Sequence, residues 1–188
     1  MGCVILKIEI FREAQITREL DEKIRDGLCL SFPQEAGFFR KTRFWNGIIP
    51  VSSVLGFSDD ESRSVIAHMG IVQRRILVNR RKELFIFGIQ NVFIHPDYRG
   101  TGVLGSLMDT VSGFVRAESY DCGLLFCVPE LEKVYSRFSW KKIDNSRISK
   151  VDETGEEILI PEKNIAMFYP LSLTVFPAGD INLRGYDW

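Results

Sequence analysis

Little in this chain points to a metal site, a disulfide framework or a membrane span. Histidine occurs only twice, at His68 and His95, and the four cysteines (Cys3, Cys29, Cys122, Cys127) form no Cys-x-x-Cys pair. With that spacing absent and so few imidazoles, no zinc or other metal is expected. The apolar residues 3–6 are too few for a signal-peptide core, and Lys7 and Glu9 follow directly. Without a secretion signal the cysteines read as reduced, small, mostly buried residues, and the cytoplasm as the default location. No uninterrupted apolar segment is long enough to span a bilayer. Neither sign of charge is in excess: 24 basic residues face 25 acidic ones, so no global field favours nucleic acid or an anionic membrane. Repeats, low-complexity tracts and linkers are also missing.

What the chain has is the composition of an ordinary soluble globular protein, 45% hydrophobic and 26% charged over 188 residues. That length favours a single domain, residues 1–188, with a real core. Its organising stretch is residues 91–109. The apolar run 84–94 before it reads as a central strand buried on both faces, ended by Pro96. A glycine-rich turn, residues 99–105, follows. Val103, Leu104, Leu107, Met108, Val111, Phe114 and Val115 then recur at helical spacing. The unit is strand, glycine loop, amphipathic helix.

The first turn of a helix presents about four unpaired backbone N–H groups and the positive end of the helix dipole. Gly100 and Gly102 have no Cβ, so a ligand can approach the backbone, and Arg99 adds a cation. Together they make a pyrophosphate cradle. The competing reading is a glycine-rich connection that merely lets the helix pack. Arg99 directly before the loop and the buried strand before that favour the cradle. Gly100, Gly102 and Gly105 spell G-x-G-x-x-G, but Glu118 falls at the end of the helix rather than on a second strand, which excludes the dinucleotide fingerprint. No Gly-Lys-Ser/Thr follows, which excludes a Walker loop.

Tyr98-Arg99-Gly100-Thr101-Gly102 resembles the acetyl-CoA loop of the GNAT acetyltransferase superfamily, Arg/Gln-x-x-Gly-x-Gly/Ala, with Leu104 departing at the last position. The stretch Ile66-Ala67-His68-Met69-Gly70-Ile71-Val72-Gln73-Arg74-Arg75 and the ending Gly185-Tyr186-Asp187-Trp188 are similar to aminoglycoside 2′-N-acetyltransferases. Residues 67–94 also look like nodulation-factor acyltransferases. The likeness covers roughly residues 10–188, weakly before residue 60. It implies an α+β fold with α/β/α layers, the acyl-CoA N-acyltransferase fold: a mixed, mostly antiparallel sheet with one splayed parallel strand pair.

The rest of the chain fits such a sheet. Val4, Ile5, Leu6, Ile8, Ile10 and Phe11 read as a first strand, and Thr17 as the cap of a helix with Leu20, Ile24 and Leu28 in one stripe. Residues 37–45 mix aromatics with cations. Nucleic-acid stacking, a packed helix with snorkelling cations, and an acceptor-substrate wall formed by Phe39, Arg40 and Trp45 (the last implied by the resemblance) are all open. Strands are expected over residues 50–57, 64–78, 123–128, 140–150 and 157–160, and a final apolar strand with its exit over residues 164–176, with a polar turn at residues 58–62. Pro129 opens a short helix. The tail reads either as frayed or, given its aromatics, as something more.

The resemblance also implies a mechanism. Acetyl-CoA is the co-substrate and a small-molecule amine the acceptor. Val92, Phe93 and Ile94 would pair with the pantetheine arm, and a backbone N–H there would stabilise the thioester oxyanion. Arg99, Gly100, Thr101, Gly102, Val103 and Leu104 would hold the pyrophosphate. Tyr135-Ser136-Arg137-Phe138-Ser139-Trp140 looks like Tyr-x-x-x-Gly-Phe/Trp, with Ser139 for Gly, which makes Tyr135 the acid that protonates the thiolate. Unaided, Tyr135 would read as a core aromatic. Gln90 stands where the resembled enzymes carry a carboxylate, and could position a water. Asp187 and Trp188 would meet the substrate. A longer-chain acyltransferase and a non-catalytic CoA-binding module are the alternatives. Phe and Trp near both chain ends offer a homodimer surface.

Overall fold

Apolar runs separated by polar turns form strands, as expected of their composition, in a computed structural model that describes residues 7–59, 63–144, 147–161 and 163–188. Cys3, Val4, Ile5 and Leu6, and Asp60, Glu61 and Ser62 of the polar turn, lie outside the described residues. The chain forms two compact units, Met1–Ile71 with Gln90–Phe114 and Val72–Ile89 with Val115–Trp188.

In chain order the first unit holds β1 (Lys7–Arg12), α1 (Arg18–Ser31), α2 (Ala36–Phe39), β2 (Ser52–Phe57), the first half of β3 (Val65–Val78), the second half of β4 (Lys82–Ile94) and most of α3 (Val103–Arg116). β1 pairs antiparallel with β2, and β2 with β3. Thr17 caps α1 by accepting from Leu20 N at 3.2 Å, and Glu19 and Asp21 sit in the first turn, where the helix dipole favours them. Ile24 and Leu28 of α1 are fully buried with Phe39, Leu55, Phe57, Val65 and Phe93. A Cβ at Gly27 would overlap the Phe93 ring, so glycine there is what lets α1 come this close to β4. The helix expected over residues 37–45 is only α2, four residues. Thr42 Oγ1 accepts from Phe44 N at 3.1 Å, a local turn that competes with further helix.

The second unit holds the remainders of β3 and β4, then β5 (Cys122–Cys127), α4 (Glu132–Ser136), β6 (Lys141–Lys142), β7 (Ile148–Val151), β8 (Glu157–Leu159), β9 (Ile165–Pro170) and β10 (Ile181–Asn182). Its strand order is β6-β9-β5-β4-β3-β10-β7-β8. β4 and β5 run parallel, with Ile86 opposite Cys122, Phe87 opposite Gly123 and Gly88 opposite Leu124. A second parallel pair, β7 with β10, was not anticipated. The fold is the mixed, mostly antiparallel sheet with helices and a parallel pair that the resemblance implies.

One strand expectation is corrected. Residues 140–150 are not one strand: β6 pairs with β9, whereas β7 pairs with β8 and β10, so different neighbours claim the two ends. Asn145 and Ser146 between them lie outside the described residues. Within the strand and exit expected over residues 164–176, the strand is Ile165–Pro170. The tail is not frayed. Ile181 and Leu183 are buried, and Leu183 N donates to Ser149 O at 2.9 Å.

Candidate functional site

In the first unit the end of β4 and the loop after it form one connected feature. His95 N donates to Ile66 O at 2.7 Å, so the N–H of His95 faces β3. Strand alternation then turns the N–H of Phe93 to the same side, and the N–H and C=O of Val92 and Ile94 to the opposite edge. Among the described residues no strand pairs with that edge over Gln90–Ile94. The Ile94 carbonyl accepts from Arg99 Nε at 3.1 Å. The Phe93 side chain is 3% exposed and stacks on His68. That side chain belongs to the core, and the Phe93 N–H, on the β3 side, does not face the open edge.

The loop itself has the conformation that its glycines allow. Gly100 and Gly102 take φ of 75° and 91°, a region costly for other residues, with open space where a Cβ would stand. Thr101 Oγ1 donates to Tyr98 O at 2.6 Å, and the first α3 bond runs from Ser106 N to Gly102 O at 3.2 Å. The N–H groups of Val103, Leu104 and Gly105 precede that bond and have no intrahelical acceptor. With Arg99 pinned beside them by Ile94 O, these donors fit a diphosphate. Val103 itself is buried, Leu104 half-buried.

Behind the open edge lies a buried polar cluster. Gln90 is 4% exposed; its Nε2 donates to Ile48 O at 3.1 Å, which orients the amide and leaves Oε1 buried without a partner among the described residues. Asn91 takes φ of 52° inside β4, tolerated by Asn more than by most residues. Its Nδ2 donates to Arg43 O at 2.7 Å, and its carbonyl lies 2.8 Å from His68 Nδ1. Arg43, 2% exposed, is held by Asp21 at 2.8 Å and by Glu13. Burial pushes His68 down to about 4, so it is neutral at ordinary pH. Asn91, His68 and Arg43 were missed in the sequence. The available signal was a polar pair, Gln90-Asn91, interrupting an apolar strand.

The expected substrate wall changes. Phe39 is 2% exposed and packs with Phe38 and Trp45, so it is a core residue. Trp45 is half-buried and Arg40 exposed.

In the second unit Tyr135 is 8% exposed, and burial pushes its phenol up to about 12. Its ring packs on Trp140. Ser139 adopts φ of 68°, which explains why the resembled pattern has Gly there. The tail is anchored: Val151 N donates to Gly185 O at 2.9 Å, Arg74 donates to Tyr186 O, and Lys150 Nζ bonds Asp187 at 2.8 Å. Asp187 is therefore engaged by this chain's own lysine. Trp188 is 7% exposed, under the Arg74 guanidinium and against Phe126, with Nε1 buried and without a partner among the described residues. The described cysteines are unpaired, and no group of three or more metal-ligating side chains occurs among the described residues. No described helix is long and apolar enough to cross a membrane.

Comparison with known proteins gives a family. Residues 14–143 match the model of the acetyltransferase (GNAT) domain. The fold is similar to that of Escherichia coli ElaA, at TM-score 0.63 and 14% identity, covering 88% of this chain and 99% of that one. It is also similar to Escherichia coli YhbS, a GNAT family N-acetyltransferase solved in complex with CoA, at TM-score 0.64 and 15% identity over 98% and 92% of the two chains. An acyl-CoA N-acyltransferase from Pseudomonas aeruginosa gives TM-score 0.59 at 15% identity over 87% and 99%. No curated protein sequence matches the chain. The family match over most of the length joins the glycine cradle and the open strand edge in one conclusion: the chain belongs to the GNAT acetyltransferase family.

Proposed function

We propose that this protein transfers the acetyl group of acetyl-CoA to the amine of a small molecule. The observation that carries this reading is the edge of Val92–Ile94, which no strand among the described residues covers, leading directly into a helix N-terminus flanked by Gly100, Gly102 and Arg99. An extended arm carrying amides suits the edge, as an added strand does, and a diphosphate suits the loop. Acetyl-CoA, when bound, supplies an activated thioester. The N–H of Val92 or Ile94 stabilises the charge that develops on its carbonyl oxygen. Attack by the neutral amine forms the new C–N bond and breaks the C–S bond, and Tyr135 gives its proton to the departing sulfur. Gln90 cannot take a proton at neutral pH, but its unpartnered Oε1 can accept a hydrogen bond from the amine or from a water that carries the proton away.

The tail resemblance favours an aminoglycoside-like acceptor, and aminoglycosides and polyamines are the amines to screen first. The Lys150–Asp187 ion pair means that an amine reaching Asp187 would have to compete with Lys150. The test of the cradle is Arg99→Glu. It should weaken CoA binding at least tenfold, equivalent to about 1.4 kcal/mol. Unaltered affinity by calorimetry would make the loop a packing feature.

A further inference from the structure

The left-handed Asn91 is held from two sides by groups with no place in the chemistry above. Its carbonyl can only accept, so His68 Nδ1, 2.8 Å away, must carry the hydrogen. That leaves His68 Nε2 as the acceptor for the Ser53 hydroxyl at 3.3 Å. His68 is 1% exposed and Ser53 fully buried, so the bond between them is shielded from water, and the bond to the Asn91 carbonyl is part-buried. On the other side the Asn91 amide donates to Arg43 O, and the Arg43 guanidinium is tied to Asp21 and Glu13. The Phe93 ring lies nearly parallel to the imidazole, 5.8 Å between centroids at 23°. The peptide N–H of Val92 follows the Asn91 carbonyl directly, in one rigid plane. Whatever fixes that carbonyl fixes the direction of the Val92 N–H.

We propose that His68 is a positioning residue: acting through the Asn91 carbonyl, it aims the Val92 N–H at the thioester oxygen of acetyl-CoA. This rests on the reading that the Val92 edge receives acetyl-CoA. A neutral imidazole suits the task, since it offers one donor and one acceptor in a rigid ring and brings no charge next to the developing oxyanion. Asn in place of His68 can still offer an N–H to the Asn91 carbonyl; Leu cannot.

The experiment is isotope-edited infrared spectroscopy of acetyl-CoA, 13C-labelled at the thioester carbonyl, bound to the wild-type protein and to the His68→Asn and His68→Leu variants, with CoA affinity measured alongside. The wild type should shift the bound carbonyl to lower frequency than in water. His68→Leu should lose the shift while CoA affinity changes by less than about threefold, well short of a tenfold binding effect. His68→Asn should keep most of the shift. Equal shifts in all three proteins, or equal loss in both variants, would overturn the proposal. Should the variants fail to fold, the wild type still decides. An Nε2–H tautomer of His68 by 15N NMR, or a bound carbonyl with no shift, would overturn it. Absence of CoA binding to the wild type would instead remove the acetyl-CoA reading, and this inference with it.

Discussion

Tyr135 and Cys127 show how their surroundings tune an acid. Burial raises the Tyr135 phenol to about 12 and the Cys127 thiol to about 11. Tyr135→Phe should lower turnover by about 10²-fold while CoA binding is unchanged, as steady-state kinetics and calorimetry would show. Unchanged turnover would make Tyr135 only a packing partner of Trp140. His68 gives a stability prediction with a definite sign. Its folded value is depressed from 6.5 to about 4, so between these values the unfolded chain binds the extra proton. Stability should be fully present above pH 6.5 and fall as the pH drops toward 4, by up to about 3 kcal/mol. Denaturant midpoints across that range should show the fall, and His68→Asn should flatten it. Tyr135, Gln90 and Arg99 were singled out in the sequence by motif position. The burial of Arg43 was not, because its carboxylate partners lie 22 and 30 residues away and nothing local distinguishes it from the exposed cations beside it.

At the level of elements, the tail and the parallel strands form one packing problem within the second unit. A Cβ at Gly88 would overlap the Trp188 indole, and Gly88 opposite Leu124 is the last register pair of β4 with β5. Gly88→Ala should therefore destabilise by about 1–3 kcal/mol through overpacking, and combining it with Trp188→Ala should recover part of that loss. Additive losses in denaturant titrations would contradict the contact. Ser139 makes the opposite case: it bears a left-handed φ of 68°, so Ser139→Gly should stabilise by up to about 1 kcal/mol. The elements legible in the sequence were those with strong local signals: the apolar run of β4, the helical spacing of α3, the Thr17 cap. β6 and β7 were not separable, since the choice between β9 and β8 as neighbour is made by tertiary pairing and leaves no periodicity. The docked tail was equally hidden, because its partners, Val151, Ser149 and Arg74, are distant in sequence.

For the molecule as a whole, the near balance of 24 basic and 25 acidic residues leaves ligand attraction to local features, chiefly Arg99 and the helix N-terminus. A ligand held there by the native state alone should stabilise the protein by about 2.7 kcal/mol at a hundredfold excess over its dissociation constant. The central claim is that this fold binds acetyl-CoA through the cradle and the open edge of β4. Calorimetric titration of the purified protein with acetyl-CoA tests it most directly. Micromolar, one-to-one binding that Arg99→Glu weakens is the result predicted. No heat of binding at millimolar acetyl-CoA would contradict it, and residues 99–105 would then be a loop that packs a helix.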